Sequence, residues 1–469
     1  MNNRNDFLKS IMRLNRLRID HKYIKLYVIL IACAILTVCC SEKDNFLHLN
    51  KLGYFEERGL NVFVFGLNIG GWYDAGDFDI RTQSQYAVVL SLVKSRETFG
   101  LDRDETLIDQ KRRYVDIHVP DGKPDILQQI EHGTLALIAQ YRAVGHAING
   151  IIVYDIKQYT HLGDASTITD NLIYNPDFKE RASNGVYSGI SDDRWAFTSK
   201  SSALNYGSAA ALAASSRALS GYNDKLAGEC FQTAERVWKE EHSHVPYTFK
   251  FGNTTGEPIE EEELKAACEL FVTTNDKKYE TRIIELWPVI EKSFNRYASY
   301  IIQVLPKMDS SYTIKTEELV RKYKDKLDTL YKLNLFGVPI SRGGWAGSVA
   351  AIDFTVTNYL LHQAFPEIID REYALKGLNY IYGCHPGSDI SFVSGVGTRS
   401  KKVAYGNNRA DYSFIAGGVV PGVLILGPDF PENKEDWPFL WGENEYVINV
   451  SASYIFAVNA ANELLNGVK

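Results

Sequence analysis

The sequence has no excess of positive charge. Its 51 Lys and Arg stand against 58 Asp and Glu, a formal net charge of -7 with a pI near 5.9. A nucleic-acid binder normally presents a basic face, so that class is set aside. Paired cysteines are lacking too. Of the six, Cys33, Cys39 and Cys40 share one apolar segment near the start, while Cys230, Cys268 and Cys384 are isolated and without CxxC spacing. That pattern argues against a disulfide framework and a structural zinc site. The glycine-bearing strings "GGWAGS" and "SGVGTRS" lack the Lys-Ser/Thr and strand–helix context of a phosphate cradle, which removes a nucleotide role. Methionine is scarce, at 3 residues. No cofactor and no metal are expected.

What is present is apolar and aromatic. Hydrophobic residues make up 45% and aromatics 12%, with 28 Tyr and 22 Phe, ample for a globular core. At 469 residues the chain exceeds the size at which single cores stop growing, so one large or two unequal domains are expected. An acidic, aromatic-rich chain suits neutral ligands such as sugars.

The beginning reads as an address. Arg13–Lys25 is rich in Lys and Arg, and the apolar run Leu26–Cys40 that follows has the length of a signal h-region and is short for a membrane span. It ends in two cysteines and "SEKDN", and so resembles a bacterial lipoprotein signal with Cys40 or Cys39 as the lipidated residue. The position before the cysteine holds Val38 or Cys39 where a small residue is usual. An uncleaved N-terminal anchor is the alternative, and Met12 is a candidate true start. Either reading exports the protein, to the outer membrane, cell surface or periplasm, touching membrane only through that anchor.

Next, "LHLNKLGY" and "LNVFVF" read as two short strands around a charged turn, a pair too small to bury a face alone. From about residue 120 the pattern turns helical. "PDILQQIEHGTLALIAQYRA" places Ile126, Ile130, Leu135, Leu137 and Ala139 along an apolar band. "DKLAGECFQTAERVWKE" offers Asp224 as an N-cap, then Leu226, Cys230, Ala234 and Val237 at spacings of three and four. Ala-rich "SALNYGSAAALAASSRAL" suits close helix packing, and "INVSASYIFAVNAANELL" ends the series. The pairs recur too irregularly for a solenoid and suggest a closed helical toroid with long loops at one rim.

One loop stands apart. "GGWYDAGDFD", Gly70–Asp79, sets three aspartates beside three aromatics among glycines. Taken alone, Asp74 and Asp77 read as a turn or helix N-cap, and Glu445 as a solvated acid. However, "GGWYDAGDF" resembles the signature of glycoside hydrolase family 9. Downstream, "WGENEYVINVSASYIFAVNAA" is similar to that family's closing motif, with "DRWAFTSKSSALNYGSAAALAASSRAL", "GGWAGS", "YIYGCHPGSDISFVSGVG" and "VVPGVLILGPDF" in the family's order between them.

The resemblance implies an all-α (α/α)6 barrel and an inverting hydrolase of β-1,4-glucosidic bonds acting on a β-glucan polysaccharide or oligosaccharide. Inversion needs a carboxylic acid to protonate the leaving oxygen and a carboxylate opposite to activate water, roughly 6.5–9.5 Å apart. By resemblance Asp77 is the base, Asp74 orients the same water, and Glu445, beside Asn444, is the acid, with Glu443 its competitor. Trp441, Tyr446 and Val447 are the apolar neighbours that raise an acid's pKa. Trp72, Tyr73, Trp195, Trp345 and Trp441 are candidates for stacking on sugar rings, each also readable as a core or rim residue. Arg409 falls where the family carries His-His-Arg, and Asn407 and Asn408 replace both histidines, which leaves the glycan open. An exo-acting β-glucosidase or glucosaminidase on oligosaccharides and an inactive glycan-binding lipoprotein are the alternatives. The domain reading is residues 1–40 signal, 41–65 remnant of an immunoglobulin-like β-domain and 66–469 catalytic barrel. The strand pair leads so directly into the aspartate loop that the barrel's first helix has no room.

Overall fold

A computed structural model of the chain describes residues 52–55, 61–63, 66–67, 69–76, 79–109, 112, 114–153, 172–190, 194–250, 254–339, 346–385, 389–401, 415–422 and 441–467. Six helices form a closed ring: α1 (Thr82–Phe99), α3 (Ser202–Leu219), α5 (Ile259–Thr274), α8 (Phe294–Val304), α10 (Ser348–Ala364) and α13 (Ile448–Asn466), the last returning to pack on α1. Outside it lie α2 (Asp125–Val144), α4 (Asp224–Glu241), α6 (Lys277–Glu285), α9 (Ser310–Leu333) and α11 (Arg371–Ile381), each packed on an inner helix. Short α7 (Trp287–Lys292) and α12 (Trp441–Asn444) complete the set. The fold is an (α/α)6 barrel. Among the described residues no helix precedes α1, so five outer helices accompany six inner ones.

Composition explains which helices go inside. In α3, Ala209 to Ala214 are all at most 1% exposed, and small side chains let α1, α2, α4 and α5 approach it closely. At Gly207 an added Cβ lies 2.4 Å from the Tyr86 ring, so α1 and α3 meet with no space between them. An equally close approach joins α11 to α10, where a Cβ on Gly377 lies 2.0 Å from the Ala351 carbonyl oxygen. Helix α13 is buried along most of its length on every side, as a helix apolar all round must be. Towards the C-terminal ends of α1, α10 and α13, Phe99, Tyr359 and Phe456 pack ring on ring at 4.9–5.6 Å.

The expected cap of α4 is corrected by one position. Asn223, whose side chain accepts from Leu226 N, is the N-cap, and Asp224 starts the helix while accepting from Gly221 N at 2.7 Å. The strand pair is present, β1 (Leu52–Phe55) antiparallel to β2 (Asn61–Phe63). Among the described residues it does not belong to a separate β-domain. β1 pairs in parallel with Arg194–Phe197, extending a five-stranded sheet whose other members are Gly150–Val153 and Ile80–Arg81. Backbone pairing thus ties the strand pair to the barrel's loops.

Candidate active site

Inner helices α1 and α13 are neighbours at the point where the ring closes, and each is preceded by a loop of chemical interest. Asp74 and Gly76 lie before α1, and Glu443, Asn444 and Glu445 before α13. The loops meet through the main chain. Gly76 N donates to Glu445 Oε1 at 2.8 Å across 369 residues of sequence, and Ile448 N donates to the Asp74 carbonyl at 3.1 Å. Asp74 N in turn donates to Asp79 O at 2.8 Å, closing the aspartate loop on itself.

The Asn-Glu loop is itself anchored. Ala346 N donates to Gly442 O at 2.8 Å, and Gly422 N to Glu443 O at 3.1 Å. Tyr446, 8% exposed, packs its ring on Gly418, where a Cβ would lie 2.4 Å away, and its hydroxyl bonds Ser394 Oγ and accepts from Ile415 N. Burial pushes the Tyr446 phenol above its usual range. Glu443 and Asn444 are 0% exposed and Glu445 6%, and it is Glu445, not Glu443, that takes the Gly76 amide.

Of the other expected residues, Trp72 and Tyr73 need correction. Trp72 is 1% exposed, with its ring 5.4 Å from His132 and against Gly133 and Val89; no face is open to a sugar. Tyr73 is 7% exposed, in an apolar cluster with Leu67, Ile80, Ile148, Ile151 and Ala196. Both are core residues of the loop. Trp195 lies in the sheet strand that pairs with Gly150–Val153, and Trp441 opens α12. Asp77, Trp345, Asn407, Asn408, Arg409, Cys39 and Cys40 lie outside the described residues. The sequence reading missed Gln85 and His132, which bond the backbone of Trp72 and Gly71. Their signal was faint: two polar residues on faces that otherwise read as apolar.

A cavity of about 970 Å³ opens among α1, α8, α9, α10 and α13, lined by Tyr86, Lys94, Tyr300, Asp353 and Ser453 on inner helices and by Leu330 on outer α9, among others. Its volume suits a ligand of drug or disaccharide size. Lys94 spans it to Ser299 Oγ at 2.8 Å, and burial lowers the amine's pKa to about 8. Asp74 and Glu445 are not among its lining residues.

Two distant loops thus meet through a carboxylate at the N-terminal ends of two inner helices. The profile of Glycosyl hydrolase family 9 matches residues 66–458. The chain belongs to that family. As a family 9 member it is a glycoside hydrolase. Solved structures agree on the fold. A metagenome-derived family 9 endoglucanase superposes with a TM-score of 0.68 at 18% identity, covering 93% of this chain and 80% of that one. A single mutant of the thermostable endoglucanase from Alicyclobacillus acidocaldarius gives 0.69 at 14%, with 93% and 84% covered. The endoglucanase of the termite Nasutitermes takasagoensis gives 0.61 at 16%, with 93% and 99% covered. No curated protein matches the sequence.

Proposed function

We propose that the protein is an inverting, endo-acting hydrolase of β-1,4-glucan chains. The observation that carries this reading is the Gly76–Glu445 hydrogen bond, which joins the two loops the chemistry requires. In this reading Asp77 takes a proton from water, Asp74 orients that water, and Glu445 protonates the departing glycosidic oxygen. With Glu445 Oε1 engaged by Gly76, Oε2 is the oxygen that carries the transferable proton. Its burial fits that task, since a carboxyl shielded from water holds a proton more readily than an exposed one. Asn444 and Tyr446 flank it, and the Tyr446 side chain is held by Gly418, Ser394 and Ile415.

Support for the glucan comes from the family, from neighbours described as endoglucanases, and from a further neighbour, AaCel9A, in complex with a cellobiose-like isofagomine. Proton NMR of fresh product from a cello-oligosaccharide tests the stereochemistry. The α-anomer appears first under inversion, and an initial β-anomer overturns the mechanism. Product sizes over time test the cleavage mode: a ladder of oligomers supports endo action, and glucose alone from the outset refutes it.

We also propose that the protein is exported and held to a membrane by a lipid on Cys40 or Cys39, supported by the basic stretch and apolar run before them. Among the described residues no helix is long and apolar enough to cross a membrane. Mass spectrometry of the N-terminal peptide after expression in a bacterium tests it. A diacylglyceryl adduct on the first residue is expected, and an unmodified Met at the N-terminus overturns it.

A further inference from the structure

The aspartate loop is gripped from its inner side by two neutral polar side chains. Gln85, in the first turn of α1, uses both ends of its amide on one residue: Oε1 accepts from Trp72 N at 2.9 Å, and Nε2 donates to Trp72 O at 2.8 Å. His132, on α2, treats Gly71 the same way. Its main-chain carbonyl accepts from Gly71 N at 3.0 Å, and its ring Nε2 lies 2.6 Å from Gly71 O. A carbonyl oxygen only accepts, so Nε2 carries the hydrogen. Four hydrogen bonds therefore hold two consecutive residues.

Sterics close the same grip. Gly70 and Gly71 have φ of 70° and 83°, where side chains are strained. A Cβ at Gly70 would lie 2.2 Å from His132 O, and one at Gly71 2.8 Å from Ala136 Cβ. The Trp72 ring fills the space over Gly133, where a Cβ would come within 2.5 Å of it. The chain then has two residues in which to reach Asp74 and four to reach Gly76, whose amide meets Glu445.

We propose that Gln85 and His132 are positioning residues of the catalytic loop, setting Asp74 and Gly76 against Glu445 without touching substrate. The proposal rests on reading Asp74 and Glu445 as parts of the reacting set. A displacement of about 1 Å at reacting groups costs on the order of 10²-fold in rate. A grip on two peptides just upstream removes that freedom. The two residues suit the task because neither side chain carries charge: Gln85 presents donor and acceptor in one amide, and His132 adds a ring donor to its main-chain acceptor. Gln85→Glu keeps the shape and the acceptor but turns a carboxylate oxygen towards Trp72 O. His132→Phe keeps a ring against Trp72 and loses the donor, whereas His132→Gln places an amide Nε2 near the lost one.

The test is kcat and KM on a soluble β-1,4-glucan, with a melting curve, for the full chain and these variants. Gln85→Glu and His132→Phe are expected to lower kcat about 10- to 100-fold with KM changed less than about threefold. His132→Gln is expected to recover most of the loss. A kcat within about twofold of wild type in folded Gln85→Glu and His132→Phe overturns the proposal. So does an equal loss in His132→Gln and His132→Phe, since packing alone then explains it. Glu445→Gln assayed alongside separates the two levels. If it stays active, the reading of the site fails and the positioning role with it; if it is dead while the positioning variants are normal, only the positioning role fails.

Discussion

The seam between α1 and α3 and the seam between α13 and α1 are built differently. The first is bridged from outside by α2, which contacts both helices, with Thr134 Oγ1 2.8 Å from Ser215 Oγ and Tyr141 donating to Asn205. Apolar burial supplies most of its stability, through Ile130, Leu137 and Ile138, all 0% exposed. Across the second seam no outer helix bridges the pair among the described residues. There the helices pack directly, and the two active-site loops are bonded above them. At the closing seam, then, the bonds that complete the ring also place Glu445 against the loop that carries Asp74. Stability and catalysis are separable at the first seam and share bonds at the last.

The sharpest way to test that difference is to change chemistry at the closing seam without changing shape. Glu445→Gln keeps an oxygen to accept from Gly76 N but carries no transferable proton. Loss of a general acid costs on the order of 10²–10⁴-fold in rate, and kcat is expected to fall that far while the melting temperature moves by less than about 2 °C. Reducing-end release and calorimetry check both. Unchanged turnover removes Glu445 from the mechanism.

At the covered seam the expectation reverses. Gly207→Ala sets a Cβ against the ring of Tyr86, which is 1% exposed and fixed by its 2.6 Å bond to Glu262, so the ring cannot swing aside. Overpacking of this kind costs about 1–3 kcal/mol. Chemical denaturation is expected to show that loss, with kcat per folded molecule within about twofold of wild type. A large fall in kcat with little change in stability contradicts the separation.

How these seams look in sequence is instructive. Of the inner helices, α3 and α13 were legible because Ala, Leu and Ile recur at helical spacing through 202–219 and 448–466, whereas α1, at 82–99, lies ahead of the point where the pattern read as helical. The choice of Glu445 over Glu443 needed the motif order. Trp72 and Tyr73 misled because sequence gives a residue's type and not which way a loop turns it; here the loop folds both rings inward, onto Gly133 and Ile148 respectively. Gln85 and His132 were hidden for a related reason. A polar residue on a helix reads as surface until the loop it holds, 13 residues away from Gln85 and 61 from His132, is known to pack there. Asn223 outcompeted Asp224 as a cap by one position, a difference that only backbone dihedrals reveal.

A milder break of the closing seam is available at its backbone. Ile448 is the first residue of α13, where proline is tolerated, and Val447 before it is already extended, at φ -129° and ψ 127°, as a residue preceding proline prefers. Ile448→Pro therefore deletes the amide that donates to Asp74 O while leaving the helix intact. The expected loss is about 10-fold in kcat, near the 0.5–1.5 kcal/mol of one hydrogen bond, with a smaller fall in melting temperature. Normal kinetics in a folded Ile448→Pro protein show that the loop-to-helix bond is dispensable, and the two seams then differ less than argued here.

The smallest effect isolates the cavity wall from both seams. Asp353, on α10, is exposed to the cavity, yet the protein crowded around it disfavours the charged form and raises its pKa from 3.8 to about 6, against the opposing influence of the Ser453 hydroxyl and the Lys94 charge. The folded state therefore holds a proton between those values that the unfolded chain has released. Its contribution to stability is fully favourable below pH 4 and declines as pH rises towards 6. Cavity water screens the carboxylate and keeps that decline small. Asp353→Asn removes the titration, so its melting temperature relative to wild type is expected to rise by about 1–2 °C between pH 4 and pH 7. Its kcat at pH 7 should stay within about twofold, because Asp353 lines the cavity and touches neither catalytic loop. A melting difference that is flat with pH means the carboxyl titrates as an ordinary solvated acid, and a large loss of kcat means that the cavity belongs to the reacting set after all.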